Sequence, residues 1–217
     1  MIHIDRIQKP NILARKEKEW TEKFIASGKK RPDNSKYGHP QIKESLSSMS
    51  YHKCFYCERK LMGVPGEIDH YIEVSDPKGR VLAFKWDNLY LACVNCNNKL
   101  PNSTIPVTEA LDPCKNTNDE IEEHLIFEAE IITARNNSET GLKTIRKFRL
   151  DTKLSDYLRL KQLDRFKDIL LKIRENQIRN NRNEMTENEK VCLIRFAQAD
   201  HQFSLMFRIL LKKYGLL

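Results

Sequence analysis

No apolar run in this 217-residue chain is long enough to cross a bilayer, and its first residues lack the basic-then-apolar order of an export signal. Both absences lead us to expect a soluble, cytoplasmic protein. No glycine-rich phosphate-binding loop is present, so any nucleotide-driven control has to come from another polypeptide. There is no internal repeat to suggest a solenoid, and no low-complexity tract interrupts the chain. Cysteine is sparse at six residues, and four of them stand at metal-binding rather than disulfide spacing, which fits a reducing compartment. The other two, Cys114 and Cys192, read as ordinary buried or half-buried thiols. A chain of this length accommodates one sizeable core, or one core plus a small metal-held module.

The formal net charge is +8, and its distribution says more than its size. Residues 1–60 carry 14 Lys and Arg against 7 Asp and Glu, residues 61–142 carry 6 against 14, and residues 143–217 carry 18 against 9. An acidic middle between two basic flanks suits a cation-holding centre whose flanks contact phosphate.

The informative stretch lies in that middle. Cys54-Phe55-Tyr56-Cys57 opens it and Cys93-Val94-Asn95-Cys96 closes it, and each C-x-x-C turn places two thiolates on one side of a tight loop. Together the four cysteines form a tetrahedral set for structural zinc, which the spacing favours over a redox-active or merely buried group. The 35 residues between the knuckles require a structural unit inside the loop, and that unit contains Asp69-His70. An isolated Asp-His is most often a structural pair. Enclosed by two knuckles and followed by Asn88 and Asn97, it reads as chemistry.

The flanks are simpler. Asn11 caps a helix reaching about Ser27, with Leu13, Trp20 and Phe24 on one stripe and Gly28 as its stop. Residues 29–40 form a polar, basic loop, read first as an exposed linker and second as a contact for nucleic acid or a partner. Pro40 starts a short supporting helix to about Met49. Residues 61–66 form a turn, 67–74 a strand with Asp69 and His70, 76–80 a turn whose Lys78 and Arg80 could reach a phosphate backbone, and 81–91 a return strand. After an irregular stretch, 125–134 and 142–150 alternate as two strands of a hairpin joined through 136–141, with His124 just before it as an incidental histidine. Helices follow over about 154–179, 186–199 and 203–214, the second opened by a Thr186/Glu189 capping box, with Arg159 among the basic residues set apart from the apolar stripe.

Asp69-His70 and Asn88 between the zinc knuckles, with Asn97 directly after the last cysteine, resemble the HNH, or ββα-metal, endonuclease family. The resemblance implies His70 as general base, Asp69 and Asn97 as ligands of a catalytic Mg2+ or Mn2+, Asn88 as an organiser of the loop that aims His70, and products with 5′-phosphate and 3′-hydroxyl ends. Asn98 is the alternative third ligand. Lys99 stands for the family's lysine at a shifted register, because the position three residues after Asn97 is Leu100.

The wider layout, with its N-terminal helix, Tyr-Gly-His-Pro loop, Trp-Asp-Asn-Leu strand and basic helices, looks like the PtuB family of nuclease subunits from Septu-type and retron-associated anti-phage systems. That likeness implies a PtuA-type ABC/SMC-like ATPase partner and a nucleic acid substrate, DNA or RNA such as tRNA. The expected fold is α+β: a zinc-stabilised ββα-metal module at 53–117, preceded by a helical region and basic loop at 1–52, and followed by a β-hairpin and helical region at 118–217. A stand-alone restriction or homing-type nuclease, and a non-catalytic zinc-stabilised adaptor, are the other readings.

Overall fold

The computed structural model describes residues 1–63 and 66–217. The chain is mixed α and β, with small two-stranded sheets among many helices. Helix α1 (Asn11–Ala26) turns Leu13, Glu17 and Phe24 inward. Asn11 is its first helical residue rather than its cap, because Pro10 holds the extended conformation at that position. Glu17 fixes the helix from below, its carboxylate reaching Lys9 at 2.6 Å and Lys85 at 2.5 Å. Gly28, with φ at +64°, ends the run.

The polar segment that follows is not a free linker. It contains a turn of helix, α2 (Asn34–Tyr37), capped by Asp33 accepting from the Ser35 amide at 3.0 Å, and its Pro32 is buried. Helix α3 (Pro40–Met49) then packs Ile42, Leu46 and Met49 into the core.

Strand β1 (Glu67–His70) pairs antiparallel with β2 (Leu89–Ala92), Asp69 opposite Tyr90 and His70 opposite Leu89. Both strands are shorter than their expected spans. Beyond His70 the Asn88 side chain bonds both the N–H and the C=O of Ile72, taking the place of a ladder partner and bending the chain away. The 76–80 turn is a short helix, α4 (Pro77–Arg80), capped by Asp76. Of the turn expected over 61–66, Val64 and Pro65 lie outside the described residues. Helix α5 (Val94–Asn97) completes a ββα unit.

The hairpin sits earlier than its sequence suggests. Helix α6 (Asn118–His124), opened by a Thr117/Glu120 capping box, leads into β3 (Leu125–Glu128), which pairs with β4 (Ile131–Ala134) across Ala129 and Glu130. Residues expected as the second strand are helix α7 (Glu139–Phe148), capped by Ser138. Its inward positions, Gly141, Thr144, Ile145 and Phe148, have helical spacing, but a glycine and a threonine among them hide the period, while Leu142 faces outward.

Helix α8 (Lys153–Arg179) is followed by α9 (Glu187–Ile194) and α10 (Ser204–Lys213). Among the described residues no helix is long and apolar enough to cross a membrane. Arg159 is buried on α8, against expectation, its guanidinium donating to the Leu150 carbonyl at 2.7 Å and to Asp156 at 3.0 Å. Cys192 is exposed rather than buried, and Cys114 is half-buried.

One hydrophobic core runs from Met1 through α1, α3, both knuckles, β2 and α7, and a second joins α8 to α10, with Phe127 packed against both. A buried ion pair ties the second to the first knuckle: Lys53 Nζ lies 3.3 Å from Glu58, and Ser204 Oγ at the start of α10 donates to the same carboxylate. Glu58→Gln leaves the Lys53 ammonium buried without an anion, and we expect it to lower unfolding free energy by about 3–5 kcal/mol in urea titration. A loss within 0.5 kcal/mol, the range of an ordinary surface change, counts against that role for the pair.

Candidate active site

The site is assembled by its sulfur cluster. The Sγ atoms of Cys54, Cys57, Cys93 and Cys96 all lie within 4.8 Å of one another and all four residues are buried. Cys57 and Cys93 approach to 3.8 Å. A disulfide needs about 2.05 Å, whereas four thiolates about 2.3 Å from a central zinc stand about 3.8 Å apart along a tetrahedral edge. The donor set therefore fits zinc in both chemistry and size. Backbone bonds lock each knuckle: Glu58 N–H to Cys54 O at 3.0 Å, Asn97 N–H to Cys93 O at 2.9 Å, and Phe55 N–H to Leu91 O at 2.9 Å, the last joining the first knuckle to β2. Buried Arg159 stands near the cluster. Burial lowers its pKa, and the negative field of Cys57, Asp156, Glu58 and Cys96 works against that loss.

His70 ends β1 with its ring half-buried. Nε2 is 2.9 Å from the Ala83 carbonyl, which can only accept, so Nε2 carries the hydrogen and a neutral ring presents Nδ1 as an acceptor. Burial pushes the imidazole below its ordinary value of 6.5, with the Ala83 bond and the Asp69 charge opposing, so the neutral ring is the form present near pH 7. The Tyr37 ring packs edge-on at 4.9 Å between centroids.

Asp69 is more occupied than a simple ligand. Its Oδ2 accepts from Tyr56 Oη at 2.6 Å and from Lys99 Nζ at 2.6 Å, and its Oδ1 accepts from Lys99 at 2.8 Å. The same ammonium donates to the carbonyls of His70 at 2.6 Å and Tyr71 at 3.0 Å. A carboxylate offers about four lone pairs, so about one, on Oδ1, is left for a cation. Burial and the Asp69 charge hold the Tyr56 phenol well above its ordinary range, which keeps it a donor.

Asn88 is buried, and its amide bonds Ile72 N–H at 2.8 Å, Ile72 O at 3.1 Å and Leu82 O at 3.2 Å. It thus joins the segment leaving His70 to the segment carrying the Ala83 carbonyl. Asn97 donates from Nδ2 to Glu67 at 2.6 Å, which leaves its Oδ1 as an acceptor. Asp69, His70 and Asn97 line one cleft of about 480 Å³ with Lys30, Arg31 and Tyr37, whereas Asn98 is the C-cap of α5. Arg80 is held within the protein: its guanidinium donates to Lys29 O at 2.8 Å and lies 4.5 Å over the Phe24 ring. His124 bonds Ser138 outside the cleft. Tyr56, Tyr37, Glu67 and the Ala83 carbonyl were not foreseen. Tyr56 alone had a positional signal, as a polar aromatic inside a C-x-x-C turn.

Residues 54–103 match the HNH endonuclease family. The chain is also similar to the Septu protein PtuB of Bacillus thuringiensis, 38% identical over 103 residues. That match covers 46% of this chain and 37% of the relative, so the chain spans little more than a third of the PtuB length.

Lys99→Met leaves the buried Asp69 carboxylate without its cation and is expected to cost about 3–5 kcal/mol in chemical denaturation. In the double variant Asp69→Asn/Lys99→Met most of that loss should return, a coupling that a double-mutant cycle reads directly. Stripping zinc with a strong chelator, or substituting Cys93→Ser, should unfold the module in circular dichroism. An unchanged spectrum after metal removal contradicts a structural zinc.

Proposed function

We propose that this chain is the nuclease effector of a Septu-type anti-phage defence system, hydrolysing nucleic-acid phosphodiester bonds with a divalent cation and acting with a PtuA-type ABC/SMC-like ATPase. The observation that carries the catalytic part is the His70 ring, which lines the cleft and whose Nε2 is bound to Ala83 O at 2.9 Å so that Nδ1 is left as its acceptor, within the stretch that matches the HNH family.

In this reading His70 Nδ1 takes the proton of an attacking water. The Oδ1 atoms of Asp69 and Asn97 are the hard oxygen donors for Mg2+ or Mn2+, an ion that supplies charge neutralisation at the phosphate and the leaving oxygen. Asn88 keeps the imidazole aimed by tying together the two segments that hold it. Tyr56 and Lys99 keep the Asp69 carboxylate from rotating. Cys54, Cys57, Cys93 and Cys96 hold structural zinc. Cleavage leaves 5′-phosphate and 3′-hydroxyl ends. Both the defence role and the ATPase partner draw on the likeness to PtuB.

His70→Ala should lower metal-dependent cleavage of plasmid DNA or tRNA by about 10²–10⁴-fold while zinc content and the folded circular dichroism spectrum stay the same. Full activity in the purified variant rules out the assignment. Co-expression with the ATPase should yield a complex on affinity capture, and its nuclease activity should respond to ATP.

A further inference from the structure

We infer that the basic strap of residues 29–39, outside the HNH module, is the second wall of the cleft and grips the sugar-phosphate backbone through Lys30 and Arg31. This rests on the nuclease reading above for its substrate class, a polyanionic nucleic-acid strand. The geometry of the wall is independent of it.

The strap is held at three places. At its start Arg80 donates to the Lys29 carbonyl at 2.8 Å while stacked over Phe24. In its middle Pro32 is buried. At its end Tyr37 meets the His70 ring edge-on. Between these anchors Lys30 and Arg31 are exposed and line the same cleft as Asp69, His70 and Asn97. A second hollow of about 600 Å³ shares Arg31, Tyr37, Ile68 and Asn97 with the first and adds Lys43, so the groove continues past the site along β1.

Charge in the groove is not balanced. Asp69 is ion-paired with Lys99 and Glu73 with Lys147 at 2.8 Å, while Glu67 is bonded to the neutral Asn97 amide and keeps its charge; among the described residues Lys30 and Arg31 form no ion pair with a carboxylate, so with Lys43 the cations outnumber the one uncompensated anion of the groove. Two unpaired cations beside a general base, on backbone fixed by a buried proline and an arginine clamp, suit a strand whose scissile phosphate lies at His70 and whose next phosphates run along the strap.

Binding of the wild-type protein, with no Mg2+ or Mn2+ added, to labelled duplex DNA, single-stranded DNA and RNA, read by fluorescence anisotropy across salt concentrations, tests this. Adding Lys30→Ala/Arg31→Ala should weaken binding to the preferred strand about tenfold or more and reduce the slope of log K against log salt by about 2. Lys172→Ala/Lys213→Ala, which removes two exposed cations elsewhere, should leave the slope within about 0.5 of the parent. Equal slopes for the parent and the strap variant, or equal losses in both double variants, overturn the inference, as does no binding to any of the three. A wild type that cuts nothing even when co-expressed with the ATPase and given ATP and Mg2+ or Mn2+, combined with a reduced slope in the strap variant, overturns the nuclease reading and upholds the strap.

Discussion

Everything at the centre of this protein depends on four sulfur atoms meeting. Cys57 and Cys93 are 36 residues apart in sequence and 3.8 Å apart in space. Closing a loop of that length is entropically unfavourable without a strong local interaction at its neck. Four thiolates at zinc distance provide one, and their closure lays β2 beside β1 and starts α5 beside the end of the hairpin. Without it, short strands of four residues each would have little reason to stay paired.

Within that frame, buried polar groups determine where the Asp69 and His70 side chains point. Asp69 would be costly to bury alone, yet the Lys99 ammonium and the Tyr56 hydroxyl satisfy it, and Lys99 also fastens the two carbonyls that follow. Asn88 performs the equivalent task on the other side of His70. The imidazole is thus held by the Ala83 carbonyl, next in the chain to the Leu82 carbonyl that the Asn88 amide bonds, whereas Asn97 is oriented by the exposed Glu67 side chain.

The flanking regions are coupled to this centre by a few charged contacts. Arg80 clamps the basic strap, Glu58 and Lys53 connect the first knuckle to α10, and Arg159 packs α8 against the hairpin side of the cluster. Such contacts let helices that share a second apolar core hold a fixed position relative to the cleft.

The identity of the metal-spaced cysteines, the α+β class and the HNH family were legible in the one-dimensional pattern, because each depends on spacing within a few residues of a turn. The helix over α7 was not, since Gly141 and Thr144 occupy buried positions that an apolar count passes over. Nor did spacing reveal that Arg159 is buried, that Arg80 holds the strap, or that Lys99 and Tyr56 converge on Asp69 from 30 and 13 residues away. The sequence by itself determined which residue types were on hand and which local turns they could form. Only the tertiary structure decided which cations were paired and which were free to face the cleft, because ion pairing depends on three-dimensional distance and local burial, and neither is encoded in the order of neighbours.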